Sequence, residues 1–81
     1  MKHFVYILKS LKDSKYYIGV TKDLEKRFNE HDSGYSKSTK SRRPFRLAYK
    51  EEFENIREAY KREKYLKSLK NRVHLEKIIN N

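Results

Sequence analysis

The stretch His3-Phe4-Val5-Tyr6-Ile7-Leu8-Lys9 places the tightest constraint on what this chain can become. Its apolar residues run unbroken from Phe4 to Leu8, so both sets of alternating side chains on an extended chain are hydrophobic. A strand of that kind needs cover on both faces, whereas a strand with one wet face alternates. Only 36% of the 81 residues are apolar, enough for one small core and not for two. A single domain over residues 1–81, built round one covered strand, is the expectation.

The other elements follow from local signals. A polar stretch with Asp13 and Ser14 leads to Tyr16-Tyr17-Ile18-Gly19-Val20, and the two strands read as a hairpin. A helix over 22–32 starts at Thr21 or Asp23 and turns Leu24, Arg27, Phe28 and His31 inward. Residues 33–44 read as a loop ending at Pro44, and Phe45 to Phe53 as a third strand. Asn55, with Glu58 three residues on, opens the main helix. That helix runs to Leu69, with a stripe of Ile56, Ala59, Tyr60, Glu63 and Leu66. Asn71 caps a short terminal helix carrying Val73, Leu75, Ile78 and Ile79. The class is α/β: a small three-stranded, mainly antiparallel sheet flanked by helices, in the order ββαβαα.

Charge narrows the partner. Lys and Arg number 21 against 11 Asp and Glu, a net +10 that calls for a polyanion, either nucleic acid or an anionic membrane. A membrane binder would show a basic helix with a bulky apolar opposite face, and charge alone does not choose between DNA, RNA and lipid. The five-residue apolar run is far short of the about 20 residues of a span or the about 7–15 of a signal peptide. With no cysteine there is no disulfide, thiolate zinc site or catalytic thiol. The expectation is a cytoplasmic protein with no membrane partner.

Three places break their own local rules, which makes them candidate functional positions. Arg27 and His31 sit on the apolar stripe of the first helix, and Glu63 on that of the main helix. A buried carboxylate is costly unless a cation or metal pairs with it, and a structural Glu63–Arg27 ion pair would satisfy it. Gly19 interrupts a strand, which often marks the close approach of another group, and it shares a side with Tyr17 while Tyr6 lies on the neighbouring strand. His3 and His74 fall outside this set and read as surface residues.

Phe4-Val5-Tyr6, then Tyr17-Ile18-Gly19, then Arg27, His31 and the Arg62-Glu63 pair together resemble the GIY-YIG nuclease domain. Thr39 to Phe45 is similar to the same stretch in small, stand-alone bacterial members, in the excision-repair and intron-endonuclease branch of the superfamily. Two departures stand out. Phe4-Val5 replaces the first Gly-Ile, and Val20 stands where some members carry a lysine, with Lys22 as a candidate substitute. The resemblance implies that Tyr6 and Tyr17 border the scissile phosphate, one of them as general base or water-positioning group. It implies that Arg27 and His31 contact that phosphate, and that Glu63 binds one Mg²⁺ or Mn²⁺.

The implied chemistry is coherent. Cleaving a phosphodiester takes an activated water and stabilisation of charge on the phosphoryl oxygens. Mg²⁺ is commonly held by one or two carboxylates plus substrate phosphate, and Arg27 offers a fork of donors to phosphate oxygens. The base stays open between a tyrosine, reference pKa about 10, and His31, about 6.5. From Ser33 to Lys50 the chain carries Lys37, Lys40, Arg42, Arg43, Arg46 and Lys50 and no acid, which with Lys22 reads as a phosphate-backbone surface. Lys61, Lys64, Lys67 and Lys70 read as a solvated helix face. The expected function is a metal-dependent endonuclease hydrolysing DNA phosphodiester bonds through a single-metal site, with RNA still a candidate substrate. The alternative is a catalytically weak or silent nucleic-acid-binding module on the same fold. The oligomeric state is not legible.

Overall fold

The structure is a computed structural model, and it describes residues 2–33, 40–69 and 72–80. Three strands form one antiparallel sheet: β1 (His3–Ser10), β2 (Tyr16–Thr21) and β3 (Phe45–Phe53), in the order β2-β1-β3. The helices are α1 (Leu24–Asp32), α2 (Ile56–Ser68) and α3 (Arg72–Ile79), and a single 3-10 turn spans Lys40–Arg42. The ββαβαα order holds, and β1 is the central strand.

The unbroken apolar run explains that placement. Val5 and Ile7 point to one face, where they pack with Ala59 and Leu66 of α2 and Leu75 of α3. Tyr6 and Leu8 point to the other, where they pack with Phe45, Tyr17 and the α1 residues Leu24 and Phe28. Val5, Ile7, Leu8 and Leu66 are fully buried or within 1% of it, so cutting any of these back to alanine should cost about 2–5 kcal/mol.

Caps fall where the sequence puts them. Asp23 accepts from the Lys26 N–H at 3.0 Å and starts α1, so Thr21 is left to end β2. Asn55 accepts from the Arg57 N–H at 2.8 Å and starts α2. The cap expected at Asn71 lies outside the described residues.

Three expectations about burial are corrected. Tyr60 is 56% exposed and Val73 is 56% exposed, so neither belongs to its helix's inward stripe. The sheet is only three strands wide and offers each helix a narrow strip, which Ala59, Leu66 and Leu75 already fill. His3 is buried at 7% exposure, because a central strand is covered from its first residue; His74 is exposed as expected.

β3 meets β1 with one irregularity. Ile7 pairs with Tyr49 but Leu8 pairs with Leu47, so Ala48 is an extra residue on β3. The bulge lets Phe45 turn into the α1-side core while Tyr49 and Phe53 stay on the α2 side. At the far end of β1, buried Ser10 donates its Oγ–H to the Arg42 carbonyl at 2.6 Å and accepts from the Lys12 and Asp13 N–H groups. Arg42 forms an ion pair with Asp13, and the Leu11 N–H donates to the Pro44 carbonyl, so the approach to β3 is fastened to the hairpin turn.

Candidate active site

Tyr6 is the centre of the site. Its hydroxyl lies 3.2 Å from His31 Nε2 and accepts from Arg27 Nε at 3.4 Å. Arg27 and His31 are one turn apart on α1, and the helix lays that stripe on the Tyr6 face of β1 as the periodicity predicts. Arg27 pairs with Glu30, Nη1 to Oε1 3.3 Å, and is 39% exposed, so its guanidinium is anchored on one side and wet on the other. The donation to Tyr6, with help from the Glu30 carboxylate, holds Arg27 above its ordinary pKa against partial burial. His31 is driven the opposite way: burial first, then the Arg27 charge, pull its pKa below the ordinary value, with Glu30 opposing.

Gly19 pairs directly with Tyr6 across β1 and β2. A Cβ at position 19 would fall 2.6 Å from Tyr6 Cζ and closer still to its hydroxyl. Glycine here is a matter of clearance: the phenol lies over the empty place. Tyr17 stacks edge-on against Phe45 at 5.4 Å, and Phe45 meets the His31 ring at 6.2 Å, so Tyr17 joins the cluster through one intervening ring.

Glu63 belongs to a different layer. It rises from α2, which covers the Val5–Ile7 face, and it pairs with Lys67 at 3.3 Å. The structural Glu63–Arg27 pair is therefore not formed, since each residue has its own helical partner. Tyr17 is the link between layers, for at the β2 edge it lines a cleft together with Leu66 and Lys67. Among the described residues no three His, Cys, Asp or Glu side chains gather as a metal cluster. One carboxylate, 20% exposed, suits a hard cation that keeps several waters and completes its shell with substrate phosphate. It does not suit a tightly resident metal.

The basic residues separate into kinds. Arg46, Lys22 and Lys50 are exposed, and Arg43 is exposed with its Nη1 donating to the Ser33 carbonyl at 2.9 Å. Arg42 is committed to Asp13; the Lys15 N–H and the Arg42 guanidinium together draw the Asp13 carboxyl down to about 2. Lys37 lies outside the described residues, as does the side chain of Lys40. Two contributors went unread in the sequence. Glu30 stands three residues after Arg27, a spacing that could have flagged it, while Ser10 had no such signal because its partners come from distant segments.

A family model described as the GIY-YIG catalytic domain matches residues 2–78. A UPF0213 protein of Staphylococcus saprophyticus is 44% identical over 78 residues, covering 95% of this chain and 94% of that one. A UPF0213 protein of Clostridium perfringens is 50% identical over 68 residues, covering 83% and 72%. The solution NMR structure of the UPF0213 protein BH0048 from Bacillus halodurans superposes with a TM-score of 0.63 at 38% identity, covering 99% of this chain and 84% of that one.

Proposed function

The chain belongs to the family of the GIY-YIG catalytic domain, a nuclease family, and on that premise we propose that it is a metal-dependent endonuclease hydrolysing DNA phosphodiester bonds. The observation that carries this reading is the Tyr6 hydroxyl, held between a permanent donor and an imidazole that burial disposes toward its neutral form.

The proton path follows from those partners. A guanidinium only donates, so Tyr6 Oη accepts from Arg27, and with His31 in the tautomer that carries its proton on Nδ1 the Tyr6 proton is directed at Nε2. A His31 kept neutral by burial can take that proton as Tyr6 takes one from a water beside the phosphate. The exposed side of Arg27 faces outward to meet phosphoryl oxygens, where a planar fork of donors stabilises the charge that builds on them. Tyr17 and Phe45 wall the cluster and limit where the phosphate can sit. One Mg²⁺ or Mn²⁺, held by Glu63 with the substrate, would supply further neutralisation of the phosphoryl oxygens. Lys22, Lys37, Lys40, Arg43 and Arg46 hold the nucleic-acid backbone, and Arg42 joins them where phosphate displaces Asp13.

The test is a panel of labelled DNA and RNA structures with and without Mg²⁺. Nicking is expected that Glu63→Ala abolishes while binding survives; equal cutting by both proteins would reject the reading. The second reading is a silent binding module, favoured by the single carboxylate and by Phe4-Val5 and Val20. It expects salt-dependent binding with no cleavage on any substrate.

A further inference from the structure

We propose that the groove between α1 and β3 is a subsite for a single unpaired nucleobase next to the bound phosphate; this rests on the nuclease reading above. The groove measures about 560 Å³ and its apolar lining comes from Phe4, Leu24, Phe28 and Leu47. Its size falls within the range of small-molecule pockets, about 300–1,000 Å³.

It exists because α1 is short. Nine residues cover the Tyr6–Leu8–Phe45 half of the sheet face and leave the Phe4 corner open. Leu47 stays 37% exposed there, on the side of the bulge that faces α1. An apolar slot with two phenyl rings in its wall suits a flat, uncharged aromatic ring better than a flexible chain. Base–aromatic stacking is worth about 1–3 kcal/mol per base.

Charge and position fix the rest. Lys22 stands at the rim beside α1, and Lys50 at the rim from β3. Lys50 is also the ladder partner of Tyr6, so it stands on the same face as the site, directly beside it. Leu24 and Phe28 of the lining are helical neighbours of Arg27 on α1, and Lys50 of the rim is paired with Tyr6, so the groove and the Arg27–Tyr6 cluster adjoin on one face of the sheet. Asp23 and Glu25 also reach the rim. They disfavour an anion within the slot but accept a neutral ring whose phosphates reach out to the lysines. A base in the groove therefore has its phosphate at Arg27, and a base paired in a duplex cannot enter.

The experiment walks an abasic residue, one position at a time, along a fluorescent single-stranded oligonucleotide that the protein binds. Affinity is read by anisotropy without divalent ions, and cutting by gel after Mg²⁺ is added, in DNA and RNA versions. Wild type is expected to lose about tenfold in affinity when the critical base is missing. Leu47→Ser, at an exposed edge position, should shrink that penalty to about twofold while binding the abasic strand as wild type does. Lys50→Gln, with its correct fold checked by circular dichroism, serves as the second variant and should weaken intact and abasic strands alike. The proposal is overturned if no abasic position matters to wild type, or if Leu47→Ser keeps the full penalty. It is also overturned if Leu47→Ser converts a dimer to a monomer, which would make a second copy the occupant. Base-dependent binding without any cutting leaves the subsite standing and removes the nuclease; Glu63-dependent cutting without base dependence does the reverse.

Discussion

Tyr6 and Gly19 occupy opposed positions on β1 and β2, and the phenol of one fills the space that a side chain on the other would need. The second half of the signature thus keeps its glycine for the sake of the first half's tyrosine. Gly19→Ala should destabilise the fold by about 1–3 kcal/mol, because Tyr6 is walled by His31 and Arg27 and cannot swing aside. A urea-denaturation double-mutant cycle with Tyr6→Leu, which removes the ring, should give a coupling energy of opposite sign to the single effect. Strict additivity would show that Gly19 serves something other than clearance.

Tyr6→Phe separates chemistry from binding. It keeps the ring in the core and removes only the oxygen between Arg27 and His31. Cleavage should fall by about 10²–10⁴-fold, the range of a lost acid–base group, with affinity within a few-fold of wild type. Stability should drop by about 1 kcal/mol, since the buried hydrogen bond between Tyr6 and His31 is lost. Parallel loss of cutting and affinity would mean that Tyr6 merely shapes the surface.

His31 gives the protein a pH signature. Its folded pKa lies below the ordinary 6.5, so the unfolded chain takes the proton first as pH falls. The stability tied to neutral His31 is present above pH 6.5 and is lost as pH drops through that value toward the lower folded one. A pH-by-urea comparison from 7.5 to 5 should show a steeper fall for wild type than for His31→Asn, by at most about 1.4 kcal/mol per pH unit. The acid limb of the cleavage profile should sit below pH 6.5 for the same reason.

Much of this was legible in the chain itself. The two-faced apolar run gave a central strand, and the stripe of Leu24, Arg27, Phe28 and His31 put the cationic pair on the Tyr6 face. Periodicity does not say how wide the sheet is, so it predicts Tyr60 and Val73 in a core too narrow to hold them. Nor could it foresee that Glu63 would sit on the other layer, since a helical stripe records that a face is buried and not which side of the sheet buries it. Arg42 looked like any other cation in an acid-free run; its partner Asp13 came from a hairpin turn remote in sequence.

Arg42 and Arg46 should therefore behave differently. Arg46→Ala removes an exposed charge and should lower the slope of log affinity against log salt by about 0.9 for one phosphate contact. Arg42→Ala should act chiefly on acid stability. The Asp13 carboxyl, drawn from 3.8 to about 2, contributes stability that is present above its ordinary value and lost as pH falls through about 2. In the variant the folded pKa moves back toward 3.8, so that loss should be smaller and end at a higher pH, as thermal unfolding between pH 5 and 2 would reveal. An unchanged acid limb together with a reduced salt slope would place Arg42 on the backbone of the nucleic acid.

The bulge at Ala48 has an effect on the molecule's company. β3 is nine residues long and forms an outer edge of the sheet, a natural template for strand addition. Two copies laid edge to edge about Tyr49 would set Arg46 opposite Glu52, an inviting pair of opposite charges. The extra residue defeats the match: Arg46 is paired with Lys9 and Glu52 with Phe4, which point to opposite faces of β1. A strand that cannot keep its own phase from end to end makes a poor mould for its twin.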